Sequence, residues 1–203
     1  MKRTDPPAQD TGETDTRSSR QSRLSADDWA QAALDVIREQ GVAAVAVEPL
    51  ARRLGVTKGS FYWHFPSRDA LLQAALEQWE TLEQERIFGS IEQVPDPRER
   101  LRSLFLIVGR EAKPHIIYSE LLKALDHPIV QPVIGRVSQR RQDYLVAAFK
   151  EVGFDDVAAV QRARLTYSAY AGFLQLWFQL QQPKLTHEEF DAYLEHLINT
   201  LIP

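Results

Sequence analysis

Between Ser25 and Leu201 the apolar residues recur three and four positions apart, and no segment alternates apolar with polar as one face of a strand must. That spacing confines the folded part of the chain to helices, and the punctuation agrees. Ser25 with Asp28 three residues on reads as a helix start, with Leu24 and Trp29 at the positions of a hydrophobic staple. Trp29, Ala32, Ala33, Val36 and Ile37 form one stripe, and Gly41 is the stop. A short second helix is expected from about Glu48 to Leu54 with Pro49 near its first turn, and a third from about Lys58 to Phe65, broken by Pro66. Ser67 caps a fourth with a buried face of Leu71, Leu72, Ala75, Leu76, Trp79 and Leu82. Asp96, Pro97 and Glu99 open a fifth carrying Leu101, Leu104, Phe105 and Val108. Pro114 separates it from a sixth with Ile117, Leu121, Leu122 and Leu125. Pro128 and Pro132 interrupt before a seventh that runs to about Val152. Asp155 or Asp156 caps a long eighth ending at Pro183, and Thr186 with Glu189 makes a capping box for a ninth. The expectation is an all-α fold of about nine helices.

Length and charge narrow the function. The 203 residues allow one large domain or a small one joined to a larger. Net charge is −4, yet residues 1–70 are balanced, so the acidity lies entirely in the remainder. From Arg52 to Arg68 there are four cations (Arg52, Arg53, Lys58, Arg68) and no carboxylate. An acidic bulk with one locally basic segment suits a protein that meets a polyanion at one small place. No cysteine is present, which removes disulfides, thiolate catalysis and cysteine-ligated metals. No run approaches the roughly 18 apolar residues of a membrane span. Residues 1–23 lack an apolar h-region and read as a disordered tail, not a signal peptide. Its Arg17, Arg20 and Arg23 are either a basic arm for a minor groove or a solvated linker.

The basic segment is also the most unusual one: LARRLGVTKGSFYWHF, Leu50 to Phe65. Read as two short helices and a turn, it has a small residue, Ala51, where the helices cross and a glycine, Gly55, where the turn needs positive φ. Leu50, Leu54, Val56, Phe61 and Phe65 can share a miniature core with Trp29 and Ile37. Lys58, Gly59, Ser60, Tyr62 and His64 are left outside, and a helix start adds free N–H groups and positive dipole suited to phosphate. This is helix-turn-helix logic, with the second helix in the major groove.

The longer stretch GVAAVAVEPLARRLGVTKGSFYWHFPSRDALL resembles the DNA-binding region of the tetracycline-repressor (TetR/AcrR) family, through the skeleton LA..LGV.KGS.Y.HF..R..L over about residues 25–75. The resemblance implies a helix-turn-helix domain over 24–70, with its motif at about 46–65, and a helical effector-binding and dimerisation domain over 71–203. It implies a recognition helix from Thr57 to Phe65 and DNA contact through Thr57, Lys58, Gly59, Ser60, Tyr62, Trp63, His64 and Arg68, with Trp63 partly packed and Phe61 and Phe65 in the core. One departure stands out. The family often has Thr where this chain has Ala46 and Val47, so the capping hydroxyl before the second helix is missing; Glu48 favours the helix dipole but repels phosphate.

In the eighth helix, YSAYAGFLQLWFQL is apolar almost all round, with Gln175 and Gln179 as one thin polar stripe. Such a helix must be buried on most sides, part by its own protomer and part by a second copy. Leu174, Trp177 and Phe178, with Tyr193 and Leu197 of the ninth helix, are the expected homodimer seam. The resemblance implies the same seam, an inverted-repeat operator with half-sites about 34 Å apart, and a small-molecule pocket that shifts the fourth helix when filled. Phe105, His115, Tyr118, Tyr144, Tyr170, Phe173, Trp177 and Phe178 are its candidate lining, each weighed against ordinary core packing. Their aromatic character points to an apolar or aromatic effector.

An enzyme is the rival class. The five histidines are scattered, and no HExxH, GxSxG or glycine-rich phosphate loop is present. A metal sensor lacks a clustered ligand set. A chromosome-organising protein would share the helix-turn-helix and differ only in operator number and ligand response. The reading is a cytoplasmic, ligand-released repressor that binds double-stranded DNA, with no cofactor, metal or membrane partner.

Overall fold

The computed structural model describes residues 24–110 and 112–202, with their side chains except those of Ile87, Phe88, Ser90, Arg110, Ala112, Lys113 and Pro114. The expected tail, with Arg17, Arg20 and Arg23, lies outside the described residues. Among the described residues there is no strand. The helices are α1 (Ala26–Gln40), α2 (Val47–Arg53), α3 (Lys58–Tyr62), α4 (Arg68–Ile91), α5 (Pro97–Arg110), α6 (Ala112–Leu122), α7 (Val130–Glu151), α8 (Asp156–Leu180) and α9 (His187–Leu201), with a 3-10 turn at Val42–Ala44.

The caps explain the boundaries. Asp28 accepts from the Ser25 N–H at 2.7 Å while the Ser25 hydroxyl accepts from the Asp28 N–H at 3.2 Å, a reciprocal box that fixes the start of α1. Gly41 (φ +83°) ends it, and Gly55 (φ +68°) makes the turn after α2. Asp96, Asp155 and Thr186 cap α5, α8 and α9 through their side-chain oxygens. The sequence-based boundaries move in three places. α3 closes at Tyr62, although the Phe65 N–H still reaches the Phe61 carbonyl at 3.0 Å. Pro114 and Pro132 fall in the first turns of α6 and α7, where a missing N–H costs nothing, so neither is a break. α6 ends at Leu122, which leaves Leu125 beyond it and exposed. Leu82 is also exposed; the next buried register position of α4 after Trp79 is Glu83.

Two apolar clusters hold the helices. The first joins Trp29, Ile37, Leu50 and Phe61 to Leu71, Leu72, Leu76 and Trp79 of α4, then to Tyr118, Leu121, Val130, Val133 and Leu174, so packing is continuous across residue 70. Trp29 meets Phe61 edge to face with ring centroids 5.3 Å apart. The second cluster gathers Ile91, Leu101, Phe105, Phe149, Ala159, Leu194 and Ile198. α4 takes part in the first cluster and ends in the second. Its 24 residues span about 36 Å.

Candidate DNA-binding face and an interhelical cavity

At the helix-turn-helix, Phe61 (fully buried) and Phe65 anchor α3 on α1, and this fixes which residues look outward. Lys58, Gly59, Tyr62 and Trp63 are exposed, with Ser60 and His64 half-buried. Trp63 is 88% exposed, against the expectation of partial packing, because the helix has already closed at Tyr62. Thr57 is the N-cap residue of α3, but its hydroxyl makes no capping bond, so the first N–H groups of α3 have no side-chain cap. The N-cap of α2 is Ala46, likewise without a side-chain bond. Lys58 is held at 2.7 Å by Glu48, which raises the ammonium's pKa and lowers the carboxyl's through the same hydrogen bond.

Arg68 faces inward. Its Nε donates to the Val45 carbonyl at 3.1 Å and one terminal nitrogen to the Val42 carbonyl at 3.0 Å. The other terminal nitrogen lies 3.0 Å from Asp69 and 3.1 Å from the His127 ring. The guanidinium thus ties the start of α4 to the 3-10 turn and to the loop after α6.

The second site is a cavity of about 690 Å³ between α5, α7, α8 and α9. Phe105, His115, Tyr144, Tyr170, Phe173, Trp177 and Phe178, expected from sequence, line it. Tyr118 does not: it lies behind the wall, stacked on Trp79 of α4 and under the Arg141 guanidinium, which is 4.4 Å above its ring. Arg141, Tyr167 and Thr166 are lining residues that sequence reasoning missed. The signal was present. Arg141 falls four after Val137 in the buried stripe of α7, and Thr166 falls between Ala163 and Tyr170 in that of α8; a polar residue in a buried register needs a reason.

Those residues form one polar cluster. Arg141 donates to Glu83 of α4 at 2.9 Å and to the Tyr170 hydroxyl at 3.3 Å. The Tyr170 hydroxyl also lies 2.8 Å from His115 Nδ1. Tyr118 bonds Tyr167, which donates to Ser138 at 2.7 Å. Burial raises the Tyr167 and Tyr170 pKa, keeping both phenols protonated. Burial, then the charges of Arg141 and Arg86, push His115 down to about 4 against an opposing Val108 carbonyl, so the ring is neutral near pH 7. Above Glu83, Glu80 binds Arg136 at 2.9 Å and Arg140 at 2.5 Å, so α7 grips α4 at two successive turns.

Of the five residues expected at a dimer seam, one is buried and four are half-buried around the cavity. Leu174 is buried in the first cluster, and Trp177, Phe178, Tyr193 and Leu197 face the cavity, where Phe173 stacks on Tyr193 at 5.3 Å. The polar stripe is inward too: Gln175 and Gln179 donate to the buried Ser119 hydroxyl at 3.3 and 3.0 Å. Over its second half α8 exposes Leu165, Ser168, Gly172, Leu176 and Leu180 as one stripe; nearer its start Asp156, Val157, Gln161 and Arg164 are exposed. Among the described residues no group of three His, Asp or Glu could hold a metal, and no helix is long and apolar enough to cross a membrane.

A short helix-turn-helix on a helical body with a cavity between its helices defines a class of all-α proteins. Residues 31–75 match the sequence model of bacterial regulatory proteins, tetR family. The chain is 28% identical to the HTH-type transcriptional regulator TtgR of Pseudomonas putida over 137 residues, 66% of this chain and 65% of that one. It is 27% identical to SrpR of P. putida over 113 residues, 47% of this chain and 51% of that one. The match thus spans about half to two thirds of these relatives' own length. Among solved structures, a transcriptional regulator of Rhodococcus sp. Rha1 superposes with a TM-score of 0.73 at 21% identity, covering 88% of this chain and 96% of that one. A regulator of Saccharomonospora viridis in complex with choline gives 0.75 at 18%, covering 86% and 95%. Over residues 31–75 the chain is thus similar to the tetR family of bacterial regulatory proteins, and over most of its length it shares the fold of these solved structures.

Proposed function

We propose that the protein is a homodimeric, cytoplasmic transcriptional regulator that binds an inverted-repeat operator and is released from it by a small molecule held in the cavity, acting as a repressor and not as an enzyme. The observation that carries this reading is the course of α4. It starts at Arg68, hydrogen-bonded to the helix-turn-helix backbone, and fifteen residues or about 22 Å later it presents Glu83 to the cluster that borders the cavity. A ligand that rearranges Arg141, Tyr170 or His115 acts on Glu83 and so tilts the rod that positions α3. Lys58, Gly59, Ser60, Tyr62, Trp63 and His64 are the DNA-facing set, with Thr57 at its start; Arg68 serves as the joint and not as a phosphate contact. The dimer seam is the outward stripe of α8, where Ser168 and Gly172 permit close approach between flanking leucines.

The test is selection from a random duplex pool at physiological salt, followed by anisotropy titration of the enriched duplex. Tyr62→Ala and Lys58→Ala should each lose roughly 1–3 kcal/mol of DNA binding without loss of the dimer. Leu176→Arg should yield folded monomers. No enriched inverted repeat from a folded dimer would overturn the operator reading, and a Leu176→Arg dimer of native affinity would remove the seam.

A further inference from the structure

We infer that the cavity takes an uncharged, largely apolar ligand with one hydrogen-bond acceptor, a ketone-type carbonyl, which receives the Nε2–H of His115 with the Thr166 hydroxyl close by. The inference rests on the reading of the cavity as an effector site and gives that effector a chemical class.

The proton on Nε2 follows from its neighbours. Tyr170 accepts from Arg141, an obligate donor, so its own hydrogen is free to go to His115 Nδ1. A neutral ring that accepts at Nδ1 carries its hydrogen on Nε2. His115 is 3% exposed and lines the cavity; the Val108 carbonyl lies near enough to bear on the ring, yet Nε2 meets no acceptor in hydrogen-bond geometry. Thr166, one turn before Tyr170 on α8, also lines the cavity with its hydroxyl unpartnered, although a mid-helix threonine has the carbonyl four residues back within easy reach. Buried polar atoms are nearly always paired, so two unmet groups on one cavity wall mark where a ligand's polar atom belongs.

Charge and shape fix the rest. Arg141, the arginine of the described lining, is already committed to Glu83, Tyr170 and the Tyr118 ring, so an anion finds no uncommitted guanidinium there, and the lining's Asp191 and His187 are exposed on α9, so they keep their charge interactions with solvent. The aromatic wall of Phe173, Trp177 and Phe190 suits flat apolar surface, and about 690 Å³ suits a molecule of drug size.

The experiment uses full-length dimer and matched probes: 9-fluorenone against fluorene, and benzophenone against diphenylmethane, by equilibrium dialysis. Partitioning alone favours the hydrocarbon of each pair, so the sign is diagnostic. The expected result is ketone binding about tenfold tighter than its methylene partner. His115→Phe should abolish that preference, Thr166→Val should reduce it several-fold, and His115→Gln, whose amide can accept from Tyr170 and still donate, should retain part of it. Hydrocarbon affinity should be unchanged throughout. Where His115→Phe fails to fold, the wild-type preference and Thr166→Val carry the decision. Ketones binding no tighter than hydrocarbons, or a preference that survives His115→Phe, overturns this inference while leaving the cavity a ligand site. Binding of neither probe class removes the effector-site reading and this inference with it.

Discussion

The two ends of the molecule handle polar groups in opposite ways. Around Phe61 the core is filled, the rings interlock, and the polar side chains Lys58, Tyr62 and His64 are turned to the surface. Around His115 the core is hollow, and the polar groups Arg141, Tyr170 and Thr166 are turned inward. A filled core can present a rigid surface to something much larger than itself. A hollow one can change when something small enters it. The difference separates a docking surface from a sensing site within one all-α chain, and α4 belongs to both.

Perturbing each end should separate them. Phe61→Ala empties the small core and should cost about 3–5 kcal/mol, unfolding the helix-turn-helix in thermal melts followed by Trp29 fluorescence. Native stability would mean α3 is not anchored as described. Breaking the buried pair with Glu83→Gln strands Arg141 and should cost about 3 kcal/mol, with the melt still cooperative. A change under about 1 kcal/mol would mean water already reaches the pair.

Acid should act on the hollow end. The His115 pKa is held near 4 in the fold and is about 6.5 in the unfolded chain, so between these values the unfolded state takes up the proton first. Stability present above pH 6.5 is therefore lost as pH falls toward 4, by up to about 3 kcal/mol from this group. Denaturant titrations of the native chain and His115→Gln across that range should converge toward low pH; parallel curves would contradict the burial of a neutral imidazole. At the filled end, Ala46→Thr supplies the missing cap of α2 and should raise stability by roughly 1 kcal/mol. No gain would mean that the backbone there cannot present the hydroxyl.

The filled end was also the more legible. Ser25, Gly41, Gly55 and Ser67 punctuate it locally, and the aromatic spacing of α3 places Phe61 and Phe65 inside without knowledge of anything distant. Trp63 and Arg68 escaped that reasoning, because the first depends on where a five-residue helix stops and the second on carbonyls more than twenty residues earlier. The hollow end is made of contacts far apart in sequence. Leu174, Trp177 and Tyr193 are apolar on a helix apolar all round, so hydrophobicity alone does not say whether they face a partner, a cavity or the core. The polar exceptions were more informative. Glu83, Arg141 and Thr166 each occupy a buried register position, and together they locate the cluster.

The most direct test of the coupling between the two ends is the affinity of the selected duplex for Glu83→Gln and for Glu77→Gln, both measured by anisotropy at a temperature where each is folded. Both substitutions remove one negative charge from α4, but Glu77 is exposed and, among its described contacts, its carboxylate is bonded only along its own helix to Gln73. With the two ends coupled through α4, Glu83→Gln should shift operator affinity by about tenfold or more while Glu77→Gln changes it by less than about threefold. Equal, small effects from both would mean that the cavity cluster and the DNA-facing helix are independent.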